Sequence, residues 1–202
     1  LPPEKMYDAC RVFAQYVKYE GNNTWDFSTV NTCPIPNEFK VLIEEYLDTV
    51  FESKSEYKGW KIPETTLVYP WIARMYPDIK YIFWVRDPRD CILSGHLTDD
   101  LNKFGITYDK TDDIRKNRAI SWLYQREIVR SVPTPKNHLS IKFEDMVFDQ
   151  DNTLARISDY LGIPIAKIEM RPDSVGRYKT DKGEHMFDFF ENDMKELGYE
   201  LE

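Results

Sequence analysis

Five consecutive residues, Tyr81-Ile82-Phe83-Trp84-Val85, constrain this 202-residue chain more than any other stretch. Every one is β-branched or aromatic and no polar residue alternates with them, which predicts a strand buried on both faces of a parallel sheet. Parallel strands need long crossovers, usually helical, to reach their neighbours. Arg86 follows the strand, and Asp87-Pro88 then offers an N-cap acceptor and a proline at the first helical position, so a helix is expected to begin at once. The expected local unit is a strand-to-helix turn with an arginine at its corner.

The flanking sequence supplies the helices. Tyr7 to Tyr19 is read as a helix, Asn22 to Pro36 as a loop, and Pro36-Asn37-Glu38 as the start of a second helix with Phe39, Leu42, Ile43, Tyr46 and Leu47 at helical spacing. Lys58 to Ile62 is a short strand candidate stopped by Pro63, and Thr65 to Met75 a helix kinked at Pro70. Further on, Asp113 to Arg130 should be a helix with Ala119, Trp122 and Leu123 inward, and His138 to Phe143 a second core strand. Thr153 to Leu161 should be a helix ended by Gly162 and Pro164, and Met186, Phe189, Phe190 and Leu197 mark a last amphipathic helix ended by Gly198. Strands separated by helices predict one α/β layered domain over residues 1–202, with a mostly parallel central sheet flanked by helices.

Composition narrows the function classes. With 42% hydrophobic and 31% charged residues, disordered and fibrous states are excluded. No apolar run approaches the roughly twenty residues that cross a bilayer, so no membrane partner is expected for these residues. The net charge of −8 is unevenly spread: eight acidic and two basic residues between Asp181 and Glu202 carry −6 of it. A broad basic face for nucleic acid is therefore absent, while a local pocket for a small polyanion is allowed. Cys10, Cys33 and Cys91 are odd in number and far apart, which favours a reducing compartment such as the cytoplasm. His96, His138 and His185 lack metal-ligand spacing, so no metal is expected. Asn22-Asn23-Thr24 fits a glycosylation acceptor, a triplet common by chance.

The eight glycines never fall five apart, which excludes the phosphate loop of a nucleotide kinase and the dinucleotide turn alike, and no G-x-S-x-G elbow is present. What remains is Arg86 at the carboxyl end of the buried strand and Ser94 eight residues later, expected about two turns into the following helix. A guanidinium and a hydroxyl near a helix start suit a phosphate group. The same residues also permit a plain reading, with Arg86 paired to Asp90 on the surface and Ser94 bonded back to its own helix.

Lys80-Tyr81-Ile82-Phe83-Trp84-Val85-Arg86-Asp87-Pro88-Arg89-Asp90, with Ser94 behind it, resembles the sulfotransferase superfamily. Other segments fall in that family's order: Trp60-Lys61-Ile62-Pro63, Tyr76-Pro77-Asp78-Ile79-Lys80, Ile141-Lys142-Phe143-Glu144-Asp145-Met146, Leu154 to Pro164, Ser174-Val175-Gly176-Arg177-Tyr178-Lys179 and Leu197-Gly198-Tyr199. The likeness runs from about Gly59 to the end, and residues 1–57 are expected to be mainly helical with a weak match. It implies a P-loop-type layered fold and an enzyme that uses 3′-phosphoadenosine 5′-phosphosulfate as donor, releases adenosine 3′,5′-bisphosphate and requires no metal. The acceptor would be a hydroxyl or amine of a small molecule, carbohydrate or peptide.

By the same resemblance Arg86 and Ser94 bind the 3′-phosphate, Arg171 or Arg177 completes that pocket, and Phe143 packs on adenine. Lys61 is the charge-stabilising lysine, and Glu64 or His96 is the base that takes the acceptor's proton. Each has a plainer alternative: Lys61, Glu64 and His96 as solvated surface groups, the arginines as surface pairs, Phe143 as a core strand residue. Trp60, Trp84 and Trp122 are read as core. The family's opening strand and Gly/Ser/Thr-rich loop for the 5′-phosphosulfate have no counterpart before Gly59. The chain opens at Leu1 rather than Met. The expectation is therefore a fragment that begins after that loop, or a protein that has lost the chemistry. A P-loop-type nucleotide or sugar kinase and a non-catalytic nucleotide-binding relic are the alternative functions.

Overall fold

A computed structural model describes residues 3–201. In chain order the elements are α1 (Pro3–Ala14), β1 (Lys18–Gly21), β2 (Thr24–Asp26), α2 (Ser28–Thr32), α3 (Asn37–Phe51), α4 (Tyr69–Met75), β3 (Tyr81–Val85) and α5 (Pro88–Cys91). They are followed by α6 (Ile114–Arg130), β4 (His138–Lys142), α7 (Phe143–Phe148), α8 (Gln150–Leu161) and α9 (Glu191–Leu197), with short 3-10 turns between several of them. The chain forms two compact units, Leu1–Tyr76 with His96–Pro133 and Pro77–Gly95 with Thr134–Glu202. Helices and strands mix as expected for an α/β chain, and the described residues hold one parallel and one antiparallel strand pair. No helix among them is long and apolar enough to cross a membrane.

The first unit is built around Trp71, which is fully buried. Phe13 of α1 and Phe39 of α3 meet its ring edge-on with centroids 4.7 and 4.8 Å away, and Tyr16 adds a third edge at 5.2 Å. An indole N–H cannot be buried unpaired without cost, and here Nε1 donates to the Val30 carbonyl at 2.8 Å. Arg74 draws the same α2 segment in, donating to the Val30 and Cys33 carbonyls. A second aromatic group gathers Trp25 and Phe27 edge-on around Tyr124 of α6, at 5.0 and 5.6 Å.

Several expectations for this unit need correction. The first helix ends at Ala14, not Tyr19, and β1 follows it; the segment expected to be a loop, Asn22 to Pro36, contains the hairpin turn, β2 and the short α2. Asn22 and Asn23 both take positive φ, 51° and 54°, the left-handed pair that a tight hairpin turn demands and that asparagine tolerates. Residues 58–62 form no strand. The predicted kink at Pro70 is a change of helix type, since a 3-10 turn over Pro63–Val68 gives way to α4 with Pro70 in its first turn. In α6 the buried stripe runs through Ala119, Ile120, Tyr124 and Ile128, leaving Trp122 and Leu123 only half-buried.

In the second unit β3 and β4 are parallel, in register from Tyr81 opposite His138 to Val85 opposite Lys142. The prediction of a parallel pair holds. Burial on both faces does not, because Ile82 and Trp84 are 41% and 48% exposed. The apolar core collects on β4, where Ile141 packs with Met146, Leu154 and Ile157 and with the half-buried Leu139, Leu161 and Ile165, so β3 lies at its margin. Gly162 ends α8 and Gly198 ends α9, both as expected, each in the left-handed conformation.

Trp71→Ala should lower the unfolding free energy by about 3–5 kcal/mol through the lost ring contacts and the cavity left behind, read as a shifted urea midpoint at unchanged slope. A loss under about 1 kcal/mol would show that the three edge-on rings do not hold the first unit.

Candidate functional site

The turn after β3 is built from the residues expected to build it. Asp87 leaves the strand with φ −52° and ψ 121°, and its carboxylate accepts the Arg89 N–H at 2.9 Å as an N-cap. The Arg89 guanidinium closes on the same carboxylate at 2.7 and 3.1 Å and lies over the Tyr178 ring at 3.9 Å. Both members of this pair are buried, so the charges are spent on each other. Helix α5 then stops at Cys91 after one turn. Ser94 therefore lies beyond the helix rather than two turns into it, and four residues sum too few peptide dipoles to attract an anion.

The segment Arg171 to Lys179 docks on α5. Asp90, fully buried, accepts the Gly176 N–H at 2.6 Å and the Tyr178 N–H at 3.3 Å. Gly176 has φ +74°, a conformation in which any other residue would be strained, so the glycine is what lets the two amides converge on one carboxylate. Next to it, Arg177 donates from Nη1 to Ser94 Oγ at 3.0 Å and from Nη2 to the Asp90 carbonyl at 2.9 Å. Arg86 donates from Nη2 to the Ser174 carbonyl and stacks on Phe143, 4.6 Å from the ring centroid.

Four of the five nucleotide-binding candidates singled out in the sequence thus meet the same junction in two pairs, Arg86 with Phe143, the residue expected on adenine, and Ser94 with Arg177. Arg171 does not join them; it is exposed and gives only its carbonyl to Ser174. The surface pairing of Arg86 with Asp90 and the back-bonding of Ser94 are both replaced by contacts to the docked segment. Phe143 is the first residue of α7, not a strand residue, and its ring faces a guanidinium and the edge of Trp84. Trp84, expected in the core, is half exposed there.

The charges are asymmetric. Asp87 is paired with Arg89 and Asp90 is hydrogen-bonded by backbone amides, whereas among the described residues Arg86 and Arg177 make no ion pair. Their Nε–H groups are moreover buried with no hydrogen-bond acceptor. A buried charged donor without a partner is costly, and an oxyanion removes that cost. Close by, burial pushes the Cys91 thiol up to about 12 despite the opposing pull of Arg86, so it stays protonated and is no nucleophile at neutral pH.

Lys61, Glu64 and His96 belong to the first unit. Lys61 is exposed. Glu64 is 2% exposed, its Oε2 has no hydrogen-bond partner, and its carbonyl faces the Cys10 thiol at 3.7 Å. Burial, and then the Glu64 charge, raise the pKa of Cys10, Tyr7 and Tyr46. His96 caps a 3-10 turn, its Nδ1 accepting the Thr98 N–H at 3.3 Å while Asp99 accepts its own N–H. The same Nδ1 lies 3.0 Å from the Thr98 hydroxyl, and the residue as a whole is exposed. Among the described residues no cluster of His, Cys, Asp and Glu could hold a metal ion.

A family model described as "Sulfotransferase family" matches residues 7–167. The chain belongs to the sulfotransferase family. Among solved structures, the "Sulfotransferase Domain from the Curacin Biosynthetic Pathway" is similar at 17% identity with a TM-score of 0.48, over 61% of this chain and 54% of that one. The chain thus spans about half the length of that domain. No curated protein matches. The family match reaches some fifty residues upstream of Gly59, where the motifs quoted from the sequence begin, and ends before the docked segment that carries Arg177. Glu144 and Tyr199 of this sulfotransferase family member were not foreseen as parts of the junction, and Asp90 was foreseen only as a surface partner of Arg86.

Asp90→Ala strands two buried N–H groups and should cost about 3 kcal/mol, with proteolysis appearing first between Arg171 and Lys179; Asp90→Asn, which keeps an acceptor, should cost about half as much. Equal stability of Asp90→Ala and the unaltered chain would mean that the carboxylate does not hold the segment.

Proposed function

We propose that this sulfotransferase family member takes its sulfuryl group from 3′-phosphoadenosine 5′-phosphosulfate, and that the junction of Arg86, Ser94 and Arg177 receives the 3′-phosphate. The observation that carries the reading is the pair of buried Nε–H groups on two guanidinia that have no carboxylate partner. A dianionic phosphate at this junction would offset both charges, and Phe143 packs against the Arg86 guanidinium and limits its freedom for that contact. Arg171 is less suited, because nothing in its surroundings orients it.

In the reaction the acceptor's hydroxyl oxygen or amine nitrogen forms a bond to sulfur as the bond from sulfur to the bridging oxygen breaks. The acceptor's proton passes to a base, and the electron pair stays on the 5′-phosphate of the released adenosine 3′,5′-bisphosphate. Placement and charge neutralisation dominate such a transfer. Lys61 is exposed and carries the charge-stabilising role that the family resemblance gives it. Both base candidates of the resemblance stand, His96 exposed and Glu64 buried with an unpartnered Oε2. A kinase reading is not favoured, since the family model that matches residues 7–167 is a sulfotransferase one.

Calorimetry should show adenosine 3′,5′-bisphosphate binding more tightly than adenosine 5′-monophosphate, by about 1.5–3 kcal/mol, with Arg86→Ala removing most of the difference at unchanged fold. Equal affinity of the unaltered protein for the two nucleotides would remove the 3′-phosphate from this junction. In a transfer assay Lys61→Ala should lower the turnover of every acceptor tested by a similar factor, whatever the acceptor's pKa. An undiminished rate would take the lysine out of the reaction.

A further inference from the structure

The peptide plane between Arg86 and Asp87 sets the direction in which Arg86 leaves the strand, and that plane is gripped from both ends. Its N–H donates to Glu144 Oε1 at 3.0 Å, while its carbonyl faces the Cys91 thiol at 4.0 Å. The second oxygen of Glu144 is engaged too, accepting the Tyr199 hydroxyl at 2.9 Å. Tyr199 is in turn placed by Gly198, which ends α9 with φ +71°, and by the Lys142 ammonium, 4.6 Å from the Tyr199 ring centroid and 3.4 Å from the Gly198 carbonyl. Residues 199, 144 and 86–87 therefore form one chain of contacts inside the second unit. Burial, with Glu144 adding to it, raises the Tyr199 pKa, so the hydroxyl remains a donor throughout the neutral range.

We propose that Glu144, clamped by Tyr199, is a positioning residue that fixes the Arg86 turn in the geometry that receives a 3′-phosphate, an inference that rests on the nucleotide reading above. Glu144 itself touches no phosphate, since both of its oxygens are occupied by protein donors. Its effect passes through the Asp87 amide. Without it, the N–H at the end of β3 loses its acceptor and the backbone at Arg86 and Asp87 is no longer tethered, so Arg86 can drift as a whole from the Phe143 ring and the Ser174 carbonyl. Two residues far from Arg86 in sequence would then govern nucleotide affinity through one backbone hydrogen bond.

The test compares Glu144→Ala, Glu144→Gln and Tyr199→Phe by hydrogen exchange at the Asp87 amide and by calorimetry with the two nucleotides. Glu144→Ala should speed Asp87 exchange about tenfold or more and weaken the bisphosphate about tenfold, leaving the monophosphate unchanged. Glu144→Gln keeps an acceptor for the amide and should restore most of both. Tyr199→Phe, which removes one hydroxyl and spares the packing, should give a smaller loss in the same direction, about threefold. In an Arg86→Ala background none of the three should alter bisphosphate binding further. Unchanged Asp87 exchange in Glu144→Ala, or faster exchange with the nucleotide preference intact, or an equal loss in the Arg86→Ala background, would each overturn the proposal. Should Glu144→Ala fail to fold, Tyr199→Phe and Glu144→Gln decide the question by the same measurements. If the unaltered protein shows no preference between the nucleotides, the functional reading fails, and the exchange data alone decide whether Glu144 holds the turn.

Discussion

The buried carboxylate of Asp90 is the contact on which the candidate site depends. One side chain in α5 accepts two amides, those of Gly176 and Tyr178, from a segment 86 to 88 residues away, and the other contacts of that segment follow from where those amides are fixed. Arg177 can reach Ser94 only because it lies between Gly176 and Tyr178, and Arg86 meets the Ser174 carbonyl two residues before Gly176. A carboxylate is suited to this role because it accepts in two directions at once, and backbone donors hydrogen-bond it without using up an arginine. That economy leaves the two guanidinia at the junction with their charge unspent.

Arg89 shows what a spent arginine looks like in the same turn. It lies three residues from Arg86 and is buried, yet it is closed on Asp87 and flat against Tyr178. Removing either member of such a pair exposes the other as an unpaired buried charge, which is the mark of a residue that holds the turn rather than one that binds a ligand. Arg86 and Arg177 differ in both respects, with carbonyl partners that leave the charge in place and an Nε–H that no acceptor meets. The division of labour among neighbouring arginines is thus set by their partners rather than by their burial.

Much of this was legible locally. Five apolar residues, an arginine and an Asp-Pro cap foretold β3, the corner and the start of α5, because each signal acts within a few residues. The β1–β2 hairpin escaped notice because its signal is two asparagines in a left-handed turn, and asparagine is a weaker hairpin mark than glycine. In α6 a slip of the helical phase put Trp122 and Leu123 in place of Ile120 and Tyr124. The exposure of Trp84 was hidden for a different reason: apolar character predicts that a strand can be buried, while which strand the helices cover is decided by tertiary packing. Asp90, Glu144 and Tyr199 were beyond reach in the sequence, since their roles exist only once segments 55 to 88 residues apart are brought together.

The shortness of α5 determines how this turn can recognise an anion at all. A long helix at the end of a strand offers aligned amides and a dipole, a field that attracts any anion at its N-terminus. One helical turn offers almost none of that, and its leading amides are already taken by the Asp87 side chain and by backbone bonding inside the turn. Recognition must therefore come from side chains, and flexible side chains are a poor substitute unless something orders them in advance. Here the ordering is visible: Phe143 packs against one guanidinium and limits its freedom, Ser94 and the Asp90 carbonyl fix the fork of the other, and each leaves its Nε–H edge unpaired. Planar forks held in this way would suit the tetrahedral oxygens of a phosphate, with little conformational freedom left to lose were one to bind.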